Sequence, residues 1–145
     1  MQQFANVYDN KLLLKAAGLI AASAAVATII DLGAGGRVDG TVIVDTTAVE
    51  IDTGNEMYTI LVQVSDTADF TTGSPKIKNV SALRIGHSSV TLNDASEGAI
   101  GRYELPFTNE FNGVAYRYLR LYTLVVGTIA TGINYKAYAA YSHGG

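Results

Sequence analysis

From residue 40 onwards, apolar and polar residues alternate with a period of two, which limits this part of the chain to strands with one buried face. Thr41-Val42-Ile43-Val44-Asp45 is dense in β-branched side chains, which suit a pleated, half-buried surface. Tyr58, Ile60, Val62 and Val64 alternate with Thr59, Leu61, Gln63 and Ser65. Leu83 and Ile85 flank Arg84, and Val90 and Leu92 flank Thr91. Arg102 to Phe107 alternates as well, but Pro106 has no amide hydrogen for a ladder and points to an edge or a strand end. The strongest run spans Ala115 to Val126. The last sets Ile133, Tyr135, Ala137, Ala139 and Tyr141 against Asn134, Lys136, Tyr138 and Ala140.

Turn chemistry separates these runs at Gly33 to Gly36, Asp52 to Asn55, Thr72 to Pro75, Asn93-Asp94, Asn112-Gly113 and Gly127. Short strands at regular spacing read as an all-β chain, an antiparallel β-sandwich or a small barrel. At 145 residues the chain has the length of one domain. Residues 12 to 28 read two ways: alanine and leucine favour a helix, whereas Val26, Thr28, Ile29 and Ile30 favour a strand. The apolar run from Leu12 to Ile30 is nearly long enough to span a bilayer, and Ala22-Ser23-Ala24 has the small residues of a signal-peptide cleavage site. Lys15 inside the run and Asp9 before it argue against both readings. No membrane partner is expected, and the segment is read as an arm or a buried strand.

Composition narrows the chemistry. Hydrophobic residues make up 48% and charged residues 16%, which argues against intrinsic disorder. With no cysteine and only His87 and His143, disulfides, thiolate zinc sites, thiol nucleophiles and histidine-built metal centres drop out. The net charge of −3 creates no basic field for nucleic acid. The charge is nonetheless polarised. Residues 1–75 hold nine acids and three bases, net −6, and residues 76–145 hold four acids and seven bases, net +3. Either the two halves interleave in one fold and the asymmetry averages away, or complementary fields bind a neighbour.

Fragments that suggest catalysis or ligand binding do not assemble. Ile29-Ile30-Asp31-Leu32-Gly33-Ala34-Gly35-Gly36 resembles the glycine-rich motif of S-adenosylmethionine methyltransferases. That motif must open a helix, and here β-branched residues 38–44 follow. His87-Ser88-Ser89 is the one His/Ser neighbourhood, and adjacent strand residues face opposite sides, so no triad is expected. His143 stands close to the C-terminus, where order is usually poor. Glu50 and Asp52 could pair as two carboxylates, or with Asn55 and Glu56 collect a calcium ion, but the spacing matches no recognised loop. No catalytic residue, cofactor or metal site is therefore expected.

The aromatic set is skewed, with nine tyrosines, four phenylalanines and no tryptophan. Alternation puts Tyr116, Tyr118, Arg120 and Tyr122 on one strand face, opposite Ala115, Arg117, Leu119 and Leu121. Tyrosine and arginine are favoured at protein interfaces, tyrosines also suit sugar stacking, and the same residues could instead line a core.

Five segments, in order, resemble the capsid cement (decoration) proteins of Bordetella-type tailed phages. They are Tyr8-Asp9-x-x-Leu12-Leu13, Ile29-Ile30-Asp31-Leu32-Gly33, Leu61 to Asp66 with Phe70, Arg117-Tyr118-Leu119-Arg120-Leu121, and the closing strand from Gly132 to Tyr141. The alanine-rich stretch from Lys15 to Ala27 departs from the pattern. The resemblance implies a jelly-roll β-sandwich on the outer surface of the icosahedral shell of a virion. There it bridges copies of the major capsid protein, generally as a dimer. The expected organisation is an N-terminal arm over residues 1–22 and one sandwich over 23–145. The expected interface residues are Tyr8, Asp9, Leu12, Leu13, Tyr116, Tyr118, Arg120 and Tyr122. The alternative is a carbohydrate-binding sandwich that uses a tyrosine groove and the acidic 39–56 segment. A small hydrolase or a methyltransferase rests on the fragments alone.

Overall fold

The computed structural model describes residues 12–34, 36–87, 90 and 100–143, with the backbone alone at residues 142 and 143. The regular elements that span two or more described residues are β-strands: β1 (Leu13–Lys15), β2 (Leu19–Ile20), β3 (Ala24–Ala25), β4 (Ile30–Asp31), β5 (Val38–Val49), β6 (Met57–Ser65), β7 (Ile77–Gly86), β8 (Gly101–Thr108), β9 (Glu110–Phe111), β10 (Val114–Ala115), β11 (Tyr118–Val126) and β12 (Ile133–His143). Of the strand expected at Val90 to Leu92 only Val90 is described, and it is helical rather than extended, its amide donating to the His87 carbonyl at 3.1 Å. No helix among the described residues is long and apolar enough to cross a membrane.

The strands form two antiparallel sheets and a small hairpin. One sheet runs β1-β12-β5-β8 with β2 also on β12, the other β3-β11-β6-β7 with β4 also on β11, and β9 pairs with β10. With β1/β2 and β3/β4 each counted as one interrupted strand and the hairpin set aside, eight strands remain. Their orders are first-eighth-third-sixth and second-seventh-fourth-fifth, which is the connectivity of a jelly roll. Period two explains the layers. Val42 and Val44, Tyr58 to Val64, Leu119 and Leu121, and Ile133 to Ala139 each send alternate side chains into one shared core. Pro106 lies on the edge strand β8, where no further ladder needs its amide.

The arm expected over residues 1–22 requires correction over its described half. Residues 13–15 and 19–20 pair with β12, so the sandwich begins well before residue 23. Leu14 is fully buried in the core. A register shift between Leu13 and Lys15 accompanies the burial of Lys15. The Lys15 ammonium donates to the carbonyls of Tyr135 (2.7 Å), Gly18 (2.9 Å) and Ala16 (3.0 Å), and it lies 4.5 Å from the Tyr135 ring centroid. Three main-chain acceptors and an aromatic face are what allow a lysine to sit in an apolar edge. Burial pulls its pKa down from the ordinary lysine value.

Close main-chain approach fixes the same edge. Gly132, at φ +90°, leaves no room for a side chain, because a Cβ there would stand 1.9 Å from the Ile20 carbonyl oxygen. Leu14 is therefore a core residue in energetic terms too. Leu14→Ala should cost about 2–5 kcal/mol, as large-to-small core substitutions do. Urea unfolding measures this, and an unchanged midpoint would return the segment to the status of an arm.

Candidate functional site

Two lengths of ladder hold β11, against β6 along its full length and against β3 and β4 on the other side. Leu119, Leu121 and Thr123 point inward and are fully buried, so Tyr118, Arg120 and Tyr122 face outward, half-buried. Leu124 (37% exposed) and Val126 (45% exposed) continue the strand towards its end.

Arg120 is the fixed point of this face. Its Nε donates to Gln63 Oε1 at 2.9 Å, and Gln63 Nε2 donates to Asn79 Oδ1 at 2.9 Å, so one chain of bonds crosses β11, β6 and β7. The guanidinium lies 4.2 Å from the ring centroid of Phe70, which is buried and held at φ 60°. Burial pulls the Arg120 pKa down, but a guanidinium stays protonated in proteins, so the cation remains. Beside it, Arg117 makes a two-pronged pair with Asp31 at 2.7 and 2.8 Å and lies 5.4 Å from the Tyr118 ring centroid. The Arg117 hydrogen bond, with a further one from the Gly33 amide, holds the Asp31 carboxyl at about 2.

Tyr116 does not belong to this face, which corrects the expected set of four. The alternation slips at Arg117, because β11 begins only at Tyr118 and the β9–β10 hairpin resets the phase ahead of it. Tyr116 is buried in the core. Its main chain is tied to buried Asn109: the Tyr116 amide donates to the Asn109 carbonyl at 2.9 Å, and Asn109 Nδ2 donates to the Tyr116 carbonyl at 2.8 Å. Leu12 and Leu13 are half-buried at the start of the other sheet, where Leu13 is opposite Tyr138. The structure therefore brings Tyr118, Arg120 and Tyr122 together and sets Leu12 and Leu13 apart from them. Tyr8 and Asp9 lie outside the described residues.

Part of the polarised charge resolves into interleaving. Antiparallel pairing of β5 with β8 sets Asp45 opposite Arg102, with contacts at 2.8 and 3.2 Å, and pairing of β4 with β11 brings Asp31 to Arg117. Acids of the first half thus meet bases of the second within one fold. Such exposed pairs contribute little stability, so their consequence is a locally neutral surface.

Glu50 and Glu56 are spent on main-chain amides. Glu50 accepts from the amides of Ala130 (3.0 Å), Thr131 (2.6 Å) and Gly132 (2.7 Å), which lowers its pKa. Glu56, fully buried, accepts from the Thr53 hydroxyl (2.6 Å) and from the amides of Thr53 (2.7 Å), Gly54 (2.9 Å) and Asn55 (3.0 Å). Asn55 in turn accepts from the Thr128 amide at 2.9 Å. Among the described residues no group of three or more His, Asp or Glu gathers where it could hold a metal. The glycine-rich segment is a turn between strands, with Gly33 at φ 89° and Gly36 at φ 97°, and it leads into β5. It borders a shallow cavity of about 140 Å³ with Ala115, Tyr116 and Arg117. His87 is half-buried and its amide donates to the Glu56 carbonyl at 3.0 Å. The backbone of His143 pairs with Val38 at the end of the C-terminal strand.

Against models of known protein families and against curated proteins, the chain has no match.

Burial pushes the Glu56 carboxyl up, but the Thr53 hydroxyl and the amides around it outweigh burial and hold it at about 2, against an ordinary 4.5. The folded value lies below the unfolded one. Its stabilising contribution is therefore full above about pH 4.5 and is lost as pH falls through about 2. Glu56→Gln should lower stability near neutral pH and flatten part of this acid dependence, with Asp31, Asp39, Glu50 and Asp69 supplying the remainder. Urea unfolding at stepped pH measures both effects, and an unchanged acid slope in the variant contradicts the assignment.

Proposed function

We propose that this chain is a structural protein of a tailed-phage virion, a cement that sits on the outer capsid surface and bridges neighbouring copies of the major capsid protein. It acts by contact area, as a homo-oligomer, most simply a dimer, with no enzymatic step and no cofactor. The observation that carries the reading is the outward row Tyr118, Arg120 and Tyr122, with exposed Leu124 and Val126 beyond it.

Large, stiff aromatic side chains beside an anchored arginine are what a protein interface uses at its centre. Arg120 is already ordered by Gln63 and Phe70, so little side-chain freedom is left to lose on docking. The jelly-roll frame supports the row from beneath with ladders on both sides of β11. Each attached copy that binds only the assembled shell stabilises that shell by mass action. The resemblance of the sequence segments to cement proteins supplies the partner.

The test is co-sedimentation with purified empty capsids of the phage that encodes the chain. Wild-type protein should pellet with the shells. The double variant Tyr118→Ser, Tyr122→Ser should lose at least about tenfold in affinity, as centres of interfaces do, with its unfolding free energy changed by no more than about 1 kcal/mol. Wild-type protein that stays in the supernatant, or a variant that pellets equally well, rejects the proposal. Retention on a glycan array that the same two substitutions abolish would favour the carbohydrate-binding alternative.

A further inference from the structure

A sandwich exposes four strand edges, and the alternate N–H and C=O groups of an edge strand point away from its sheet. On one side the edge strands are short pieces of two or three residues, β1 to β4. On the other side β8 is interrupted by Pro106. β7 differs from all of these. It is 10 residues long, contains no proline, and among the described residues its ladder is made on the β6 side alone.

The charge along β7 has one sign. Between Asp69 and Asp94 the sequence holds no acid, while Lys76, Lys78 and Arg84 fall in or beside the strand. Lys76 and Arg84 are exposed. The Lys78 ammonium lies 5.2 Å from the Phe111 ring centroid, which brings the β9–β10 hairpin to the flank of β7. That hairpin exposes Phe111 at 37% and Val114 at 53%.

We infer that the free edge of β7 is a docking site for an extended acidic segment of a partner protein, which adds a strand to the sheet and covers Phe111 and Val114. Main-chain hydrogen bonds supply affinity in strand addition, and side chains choose the partner. A second copy of this chain is a poor occupant. In full antiparallel overlap of two β7 strands, Lys78 is opposite Ile85 and Arg84 is opposite Asn79, and the joined edge gathers the basic residues of both copies with no acid in either strand to offset them. Basic residues on an edge thus deter self-pairing, and the same residues attract an acidic strand. β6 lies between β7 and β11, so this site is separate from the tyrosine row and does not depend on the proposed function.

The full chain is titrated with two labelled synthetic peptides, one alternating glutamate with valine and one alternating lysine with valine. Binding is followed by fluorescence anisotropy, and the site by amide chemical shifts. The acidic peptide should bind at least about tenfold tighter at low salt, and added salt should erode the difference. Shifts should concentrate in residues 77–86 and at Phe111 and Val114. Arg84→Glu, a change at an exposed position, should weaken the acidic peptide by roughly fivefold and strengthen the basic one. No binding, equal binding of both peptides, indifference to Arg84→Glu, or shifts centred elsewhere each overturn the proposal. Shifts in β7 that grow with protein concentration in the absence of peptide overturn it in favour of self-association.

Discussion

The hydrogen-bonded seam along β12 holds the molecule together. This strand comes late in the chain yet lies inside its sheet, paired with β5 from Ile133↔Val49 to His143↔Val38 and with β1 and β2 on its other side. Its inward residues Ile133, Tyr135, Ala137 and Ala139 are all buried. Tyr135 also joins the two layers, since its hydroxyl meets Thr123 Oγ1 of the opposite sheet at 2.6 Å. Burial pushes that hydroxyl up to about 12, so it stays neutral and able to donate across the physiological range. Because β12 pairs with strands from early in the sequence, the sheet cannot close until the distant parts of the chain have met. Such non-local topologies fold slowly for that reason.

Much of the architecture was legible in the alternation. Tyr58, Ile60, Val62 and Val64 all enter the core, as do alternate residues from Ile133 to Ala139, because a strand offers a side chain only two directions. The turns at Gly33, Gly54, Gly73 and Gly113 carry positive φ, which is why glycine marked them in the sequence. Asn112 at φ 51° with Gly113 at φ 79° closes the β9–β10 hairpin as an Asn-Gly pair does.

What the sequence concealed depends on register and on main-chain atoms, which composition does not reveal. Tyr116 read as outward because one slip in phase at Arg117 turns every side chain before it to the other face. Lys15 argued against a membrane span, but its actual environment is built from the carbonyls of residues 16, 18 and 135, which carry no side-chain signature. The Arg120–Gln63–Asn79 chain requires three strands to be set in one register, with an irregularity between Val62 and Gln63 included. That part of the charge asymmetry cancels within the fold showed only once Asp45 was seen opposite Arg102.

Glu50 and Glu56 carry a consequence for the end of the sandwich where they sit. One gathers the amides of residues 130–132, the other those of residues 53–55, and Asn55 bonds to Thr128 between them. Connections that would ordinarily fluctuate are thus knotted into single conformations by buried or multiply bonded carboxylates. Any surface that rests on this rim meets a template already set, so adhesion there forfeits little chain entropy.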